Sequence, residues 1–298
     1  MYKIIENKKY WFIVSSIFIV ISFIALFNLG LKLGIDFTGG SLLEISYIKK
    51  PEINQIEKIF INLELDNVKI QPSENNRFII RFENINENLH QDIIKNLENI
   101  EIPNIDNNNF TELRFESIGP IIGEELKTKA IKSIIIVLIF IILYIAYAFR
   151  KVSKPVKSWK YGLSAIIALT HDLIIIIGIF SILGYYLNIE IDSLFITALL
   201  TILGFSVHDT IVTFDRTREN LFKYKDKEFN EIVNLSINQT IIRSLNTSFT
   251  TLFVLLSIYI FGGDSIKNFI LALMLGVIIG TYSSIFIASP LLSWWNKK

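Results

Sequence analysis

Long apolar runs dominate this chain, and polar stretches of very unequal length separate them. Six runs have the roughly 20 apolar residues that a helix needs to cross a bilayer. They cover residues 10–29, 130–149, 161–187, 193–214, 240–261 and 266–292. The first follows Lys8 and Lys9 but is too long for a cleavable signal and lacks a small-x-small end, so it reads as an uncleaved signal anchor. One separator is different in kind. Residues 30–129 form a stretch of about 100, too long for a loop and sufficient for a small domain.

Within that stretch the periodicity changes from segment to segment. Strands are expected at 42–47, 68–71, 78–82 and 111–117, with helices at 53–63 and 86–100. Pro51 precedes the first helix, and Ile53, Ile56, Ile59, Phe60 and Leu63 fall at helical spacing on it. Pro72, Ser73, Glu74, Asn75 and Asn76 make a turn between the middle strands. The order βαββαβ is the split βαβ, ferredoxin-like arrangement. The fold class is therefore a polytopic α-helical membrane protein with six transmembrane helices and one α+β ferredoxin-like domain. His90 is the domain's only histidine and reads as an exposed helix residue, since a metal site needs several convergent ligands. With no nucleophile–base pair, the domain reads as a binding or gating module and not as an enzyme.

Composition supports this picture. The chain has 298 residues, 51% hydrophobic, with a mean hydropathy of +0.47, which excludes an ordinary soluble domain. It contains no cysteine, so it can form neither a disulfide nor a thiolate metal site. The net charge of +1 says little, but its distribution sets an orientation. Lys3, Lys8 and Lys9 precede the first run. Arg150, Lys151, Lys154, Lys157 and Lys160 fill the second-to-third loop. Arg216, Arg218, Lys223, Lys225 and Lys227 follow the fourth run, and Lys297 and Lys298 end the chain. The loops 188–192 and 262–265 hold no Lys or Arg. Both termini are thus expected in the cytoplasm: residues 1–9 and 293–298, with cytoplasmic loops at 150–160 and 215–239. The 30–129 domain is then extracytoplasmic, and it is acidic, with eleven Lys and Arg against seventeen Asp and Glu. The segment 216–239 is amphipathic after its charged start and reads as lying along the inner membrane surface.

Ionisable side chains inside the apolar runs carry the candidate chemistry. Asp209, with His208 beside it, interrupts the fourth run, His171 and Asp172 the third, and Arg243 opens the fifth. A carboxylate at such depth costs about 2.5–3.5 kcal/mol even on lenient insertion scales, so it normally has a partner and a task. At about 1.5 Å of rise per residue, Asp172, Asp209 and Arg243 lie roughly 22, 24 and 27 Å from the outer surface. At one depth, a carboxylate and a guanidinium can pair and offset their burial. The bland alternatives are an Arg243 that snorkels to the headgroups and a His171–Asp172 pair that only ties helices together. Consecutive helical residues point about 100° apart, so His208 and Asp209 cannot both face one partner. Asp215 and Arg216 read as a helix-end anchor.

Five segments in order resemble a known family. They are Gly34-Ile35-Asp36-Phe37-Thr38-Gly39-Gly40; Ser117-Ile118-Gly119-Pro120-Ile121-Ile122-Gly123; His171-Asp172; Gly204 through Asn220, ending Phe214-Asp215-Arg216-Thr217-Arg218-Glu219-Asn220; and Asn238-Gln239-Thr240-Ile241-Ile242-Arg243 with Thr247-Ser248-Phe249-Thr250-Thr251. The chain resembles the SecF members of the SecD/SecF family, related to resistance-nodulation-division transporters, over essentially its whole length. The resemblance implies a non-enzymatic subunit of bacterial protein export in the cytoplasmic (inner) membrane. It implies SecD as the other half of a twelve-span unit, with the SecYEG channel and the YajC accessory subunit nearby. It implies a translocating polypeptide as substrate, the proton gradient (sodium in some bacteria) as the energy source, and neither cofactor nor nucleic acid. Asp209 matches the family's intramembrane Asp and Arg243 its partner Arg. His208 departs from the Asn common at that position, either joining the relay or replacing the amide as a donor. Gly39, Gly40, Gly119 and Pro120 bracket the outer domain as turns or as a hinge. The competing readings are a half-size small-molecule exporter, disfavoured by the single small outer domain, and an intramembrane metallohydrolase, for which no ligand motif is present.

Overall fold

The computed structural model describes residues 2–65, 68–73, 76–100, 110–150 and 156–295. The expected Lys/Arg contributions of Lys151, Lys154, Lys297 and Lys298 lie outside these residues, as do Glu74 and Asn75 at the tip of the expected turn. Two compact units form: Leu33–Lys129, and Met1–Lys32 together with Ala130–Lys298.

The first element is α1 (Lys8–Leu29), which ends at Gly30, a residue at φ +69°. A single turn, α2 (Ile35–Thr38), leads into β1 (Gly40–Tyr47). Then come α3 (Ile53–Asn62), β2 (Lys69–Pro72), β3 (Arg77–Phe82), α4 (Glu87–Glu98) and β4 (Phe110–Ile118). All strand pairs are antiparallel and the sheet order is β2-β3-β1-β4, the order of the ferredoxin-like arrangement expected from the sequence. Period-2 alternation sends Leu43, Ile45 and Tyr47 of β1 to one face, where Ile80 and Phe78 of β3 lie directly opposite Leu43 and Ile45. Ile56 and Phe60 of α3, and Ile93 and Leu97 of α4, cover that face and are fully buried. Both helices are capped. Glu52 and Gln55 form a capping box on α3, and the Asn86 side chain accepts from Leu89 N at 3.0 Å on α4.

His90 corrects the sequence reading. It is 5% exposed, and its ring stacks on Phe115 with centroids 3.7 Å apart. Its Nδ1 lies 3.2 Å from Glu87 and its Nε2 3.2 Å from Glu112. The helical pattern allowed an outward position, but β4 supplies a ring and a carboxylate that enclose the imidazole.

The second unit contains α1, the part of α5 (Pro120–Ala148) from Ala130 on, α6 (Ser158–Leu187), α7 (Ser193–Lys223), α8 (Phe229–Phe261) and α9 (Asp264–Ser283). The last continues through a π-helical turn, Ser284–Ala288, into α10 (Ser289–Trp294). Among the described residues six spans are long and apolar enough to cross a membrane. The helices outrun the apolar runs. α5 starts at Pro120, ten residues before its run, because proline's fixed φ and missing N–H suit the first helical position. The expected surface segment 216–239 is also corrected. α7 carries its helix to Lys223, and α8 begins at Phe229 after a short turn. Phe229 and Val233 of the amphipathic face belong to one buried cluster with Phe214, Phe149, Tyr161 and Leu292, and Ile232 is buried as well.

Helices α6, α7 and α9 make the centre of the bundle, while α5 and α8 leave most of their apolar surface uncovered. Small side chains let α1 approach α6. A Cβ added at Gly178 would come within 2.3 Å of Ser22 Cβ, and Ser181 Oγ donates to the carbonyl of Ala25 at 3.1 Å.

Candidate functional site

Asp172 sits on α6 where α7 and the end of α9 converge, and it is fully buried. Ser206 Oγ and Ser283 Oγ each donate to its Oδ2 at 2.7 Å, and His171 Nδ1 lies 2.9 Å from its Oδ1. Three different elements thus meet on one carboxylate. A π-helical turn begins directly after Ser283. Ser283 donates to Asp172, while the next residue, Ser284, bonds Thr210 Oγ1 at 2.8 Å and the Ser206 carbonyl at 3.0 Å. An inserted π turn at such a position re-aims side chains that a regular helix would direct elsewhere. The close approach of α9 needs Gly280, where a Cβ would stand 2.8 Å from Ser206 Cβ.

The other ring nitrogen of His171, Nε2, is buried with no hydrogen-bond partner. His171 is among the residues lining an apolar cavity of about 610 Å³ between α1, α6 and the end of the last span. Ser15 on the same wall bonds Tyr282 Oη at 3.0 Å.

Asp209 lies three residues beyond Ser206 and is 4% exposed. Ser244 of α8 is buried beside the carboxylate and favours its charged form, and the charges of His208 and Arg243 act on it in the same sense. Its Oδ2 has no hydrogen-bond partner among the described residues. On α8 it is Ser244 that is buried, whereas Arg243 is exposed and acts on Asp209 through its charge. The cause is helical phase. With Ser244 turned to Asp209, Arg243 points about 100° away. The same phase leaves His208 exposed while Asp209 is buried, as expected.

The two glycine motifs meet in the Leu33–Lys129 unit. Gly39 (φ +73°) and Gly40 (φ +121°) both hold backbone conformations open to glycine. A Cβ on Gly39 would lie 2.8 Å from Pro120 Cα, and one on Gly40 2.9 Å from the Phe82 carbonyl oxygen. A Cβ on Gly123 would lie 3.0 Å from Gly39 N and 3.2 Å from the Phe37 carbonyl. Gly40 pairs with Ile118, and Gly119 has open space around it. The motif before β1 and the motif opening α5 form one tight joint.

Sequence reasoning missed Ser206 and Ser283, the hydroxyls that donate to Asp172, and Ser244, which lies beside Asp209. Ser206 had a legible signal, being a polar residue one turn from Asp209 in an apolar run. Ser283 had none, because a serine next to another serine late in an apolar run does not show which helix it faces.

These features define a six-span membrane protein with a small α+β domain between its first two spans and two buried carboxylates in its bundle. Residues 79–298 match the family model described as Protein export membrane protein SecD/SecF, C-terminal, and residues 24–47 match that of the SecD/SecF GG Motif. The chain belongs to the SecD/SecF family. It is 41% identical to the protein translocase subunit SecF of Thermobaculum terrenum, over 100% of this chain and 95% of that one. Its identity to the SecF of Anaerolinea thermophila is 37%, again over 100% and 95%. With that of Synechocystis sp. it is 36%, over 98% and 93%. Among solved structures, SecDF from Thermus thermophilus, a translocon-associated membrane protein, superposes with a TM-score of 0.84 at 29% identity. The match covers all of this chain and 39% of the SecDF chain. SecDF in its super-membrane-facing form gives 0.69 at 30% identity, over 99% of this chain and 38% of that one.

Proposed function

We propose that the chain is the SecF subunit of a bacterial protein-export complex, that it works beside SecD, and that a transmembrane proton gradient acts through Asp209 to drive polypeptide translocation. One observation carries the reading. Asp209 is a buried carboxylate, in an apolar bundle, whose Oδ2 has no protein donor. A structural carboxylate gains by having both oxygens partnered, as at Asp172. A carboxylate that must take up and release a cation needs an oxygen left open.

Protonation at Asp209 alters its attraction to Arg243 and its interaction with Ser244, so the α7–α8 contact changes with the charge state. One elementary charge crossing 100 mV supplies about 2.3 kcal/mol, enough to shift a two-state contact severalfold. Arg243 and His208, exposed in this chain, face the SecD bundle. The Lys and Arg distribution supports a topology with both termini in the cytoplasm and the ferredoxin-like domain outside, on the side of the emerging polypeptide. The SecYEG channel and YajC complete the assembly.

The test is Asp209→Asn, co-reconstituted with SecD and the channel in vesicles carrying a proton gradient. Assembly is expected to persist while gradient-stimulated export and proton flux fall to background. Wild-type export by this variant overturns the proposal.

A further inference from the structure

Beyond Asp209, the face that α7 turns toward α8 stays polar to the end of the helix. Thr213, Thr217 and Asn220 follow at steps of four, four and three, and α8 answers with Ser244, Thr240 and Ser236 at steps of four. All six are buried, the most exposed being Thr240 at 7%. The register is that of two antiparallel helices: Asp209 meets Ser244, Thr213 meets Thr240 at 3.2 Å, and Asn220 meets Ser236 at 2.8 Å. Asn220 also donates to Gln239 Oε1 at 2.9 Å, and exposed Gln239 accepts from Arg216 Nε at 2.6 Å. The line therefore runs from Asp209 to a polar rim at the α7–α8 turn.

Two features distinguish this seam from ordinary helix packing. Both of its ends carry a buried oxygen without a protein partner, Asp209 Oδ2 and Asn220 Oδ1. Buried polar oxygens in native folds are satisfied by protein or by water. Two of the seam's hydroxyls, those of Thr213 and Thr240, also have a choice of acceptors. Thr213 reaches the Asp209 carbonyl at 3.2 Å as well as Thr240, and Thr240 reaches the Ser236 carbonyl at 3.0 Å as well as Thr213. A hydroxyl that donates once and accepts twice can rotate between such partners and hand a proton along.

We propose that the α7–α8 seam is a hydrated proton path connecting Asp209 with the Arg216–Gln239 rim, on the side that carries the Lys- and Arg-rich turn. The proposal rests on the reading of Asp209 given above. It assigns transport roles to Thr213, Thr240 and Ser236, which move no charge of their own. A proton enters as hydronium at the rim, passes between water and hydroxyl oxygens, and is bound at Asp209 Oδ2. No bond other than O–H is made or broken.

The absence of cysteine makes a direct test simple. Single variants Thr213→Cys, Thr217→Cys, Ser236→Cys and Thr240→Cys are made in the full chain, co-expressed with SecD. They are exposed in inside-out vesicles to 2-aminoethyl methanethiosulfonate, which reacts with thiolates in water. Ile242→Cys, at an exposed apolar position, is the dry control. A hydrated seam makes the four sites react at least tenfold faster than the control. Rates no faster than the control overturn the path, whatever Asp209 does. Thr213→Val with Thr240→Val, which keeps side-chain shape, is expected to slow proton flux severalfold in a complex that still assembles. Unchanged flux overturns the relay. Loss of flux in Asp209→Asn is read separately, so failure of the coupling site and failure of the path are distinguishable.

Discussion

The Asp172 carboxylate is held by two serine hydroxyls and a histidine, and the cost of removing one donor can be estimated. A buried acceptor stripped of a partner loses about 1–3 kcal/mol. Ser206→Ala and Ser283→Ala are each expected to destabilise the purified chain by about that amount in thermal unfolding. In an Asp172→Asn background the penalty of either alanine should shrink by more than about 0.5 kcal/mol, because the donors and the carboxylate act together. Additive losses would show that the serines stabilise something else. Tyr47 offers a second test at this scale. Its buried hydroxyl donates to the Leu97 carbonyl at 2.9 Å, and burial pushes its pKa far above the ordinary phenol value. Because the folded value is raised, this contribution is complete below the unfolded value of about 10 and is lost as pH climbs beyond it. The isolated 33–129 domain should therefore lose stability above about pH 10, and Tyr47→Phe should flatten that loss while costing about 1 kcal/mol at neutral pH.

At the scale of elements, helix contacts turn on small residues. Gly178 has Ser22 so close that any side chain must separate α1 from α6. The backbone there cannot yield cheaply, since the neighbouring Ser181 is tied to Ala25 and to the Gly30 carbonyl. Gly178→Ala is expected to lower the melting temperature by several degrees, and Gly178→Leu to prevent assembly; an unchanged melting temperature for both would contradict the contact. Element identity was readable from periodicity because each period has one cause, burial of one strand face or one helix stripe. The βαββαβ order and the six spans were legible on that basis. Helix ends were not. The run-based estimates for α5, α7 and α8 stop where hydrophobicity stops, whereas the backbone continues through polar residues such as Thr217 and Asn220 that bond within the bundle. Hydropathy reads the lipid boundary and hydrogen bonding sets the helix boundary, so the two differ wherever a helix leaves the membrane. The carboxylates were equally legible, as charges in apolar runs. Their donors were not, since single serines are too common among apolar residues to stand out.

For the whole molecule the informative surface is the one left polar inside the membrane-spanning segments. Thr197, Thr201, Gly204 and His208 are exposed at steps of four, three and four along α7, and Arg243, Thr247 and Thr250 at four and three along α8. Those steps keep each set on one helix face. Lipid tails offer such groups no hydrogen bonds, and a guanidinium at that depth costs about 2.5–3.5 kcal/mol. The outward face of α5 is the opposite case, with Ile136, Phe140, Leu143 and Tyr147 all exposed and apolar apart from one phenol. The polar face then belongs against another helical bundle and the α5 face against lipid. In the cysteine-free chain, Thr201→Cys and Thr250→Cys are expected to cross-link to SecD in native membranes through a short bifunctional reagent, with Phe140→Cys giving background yield. Equal yields at all three positions would remove the distinction between the faces. High yield at Phe140 alone would reverse the assignment and leave Arg243 facing lipid, where Arg243→Lys should be harmless because either side chain can snorkel. If the polar face is the interface, Arg243→Lys should instead lose most export activity, because a single ammonium does not reproduce the planar fork of the guanidinium.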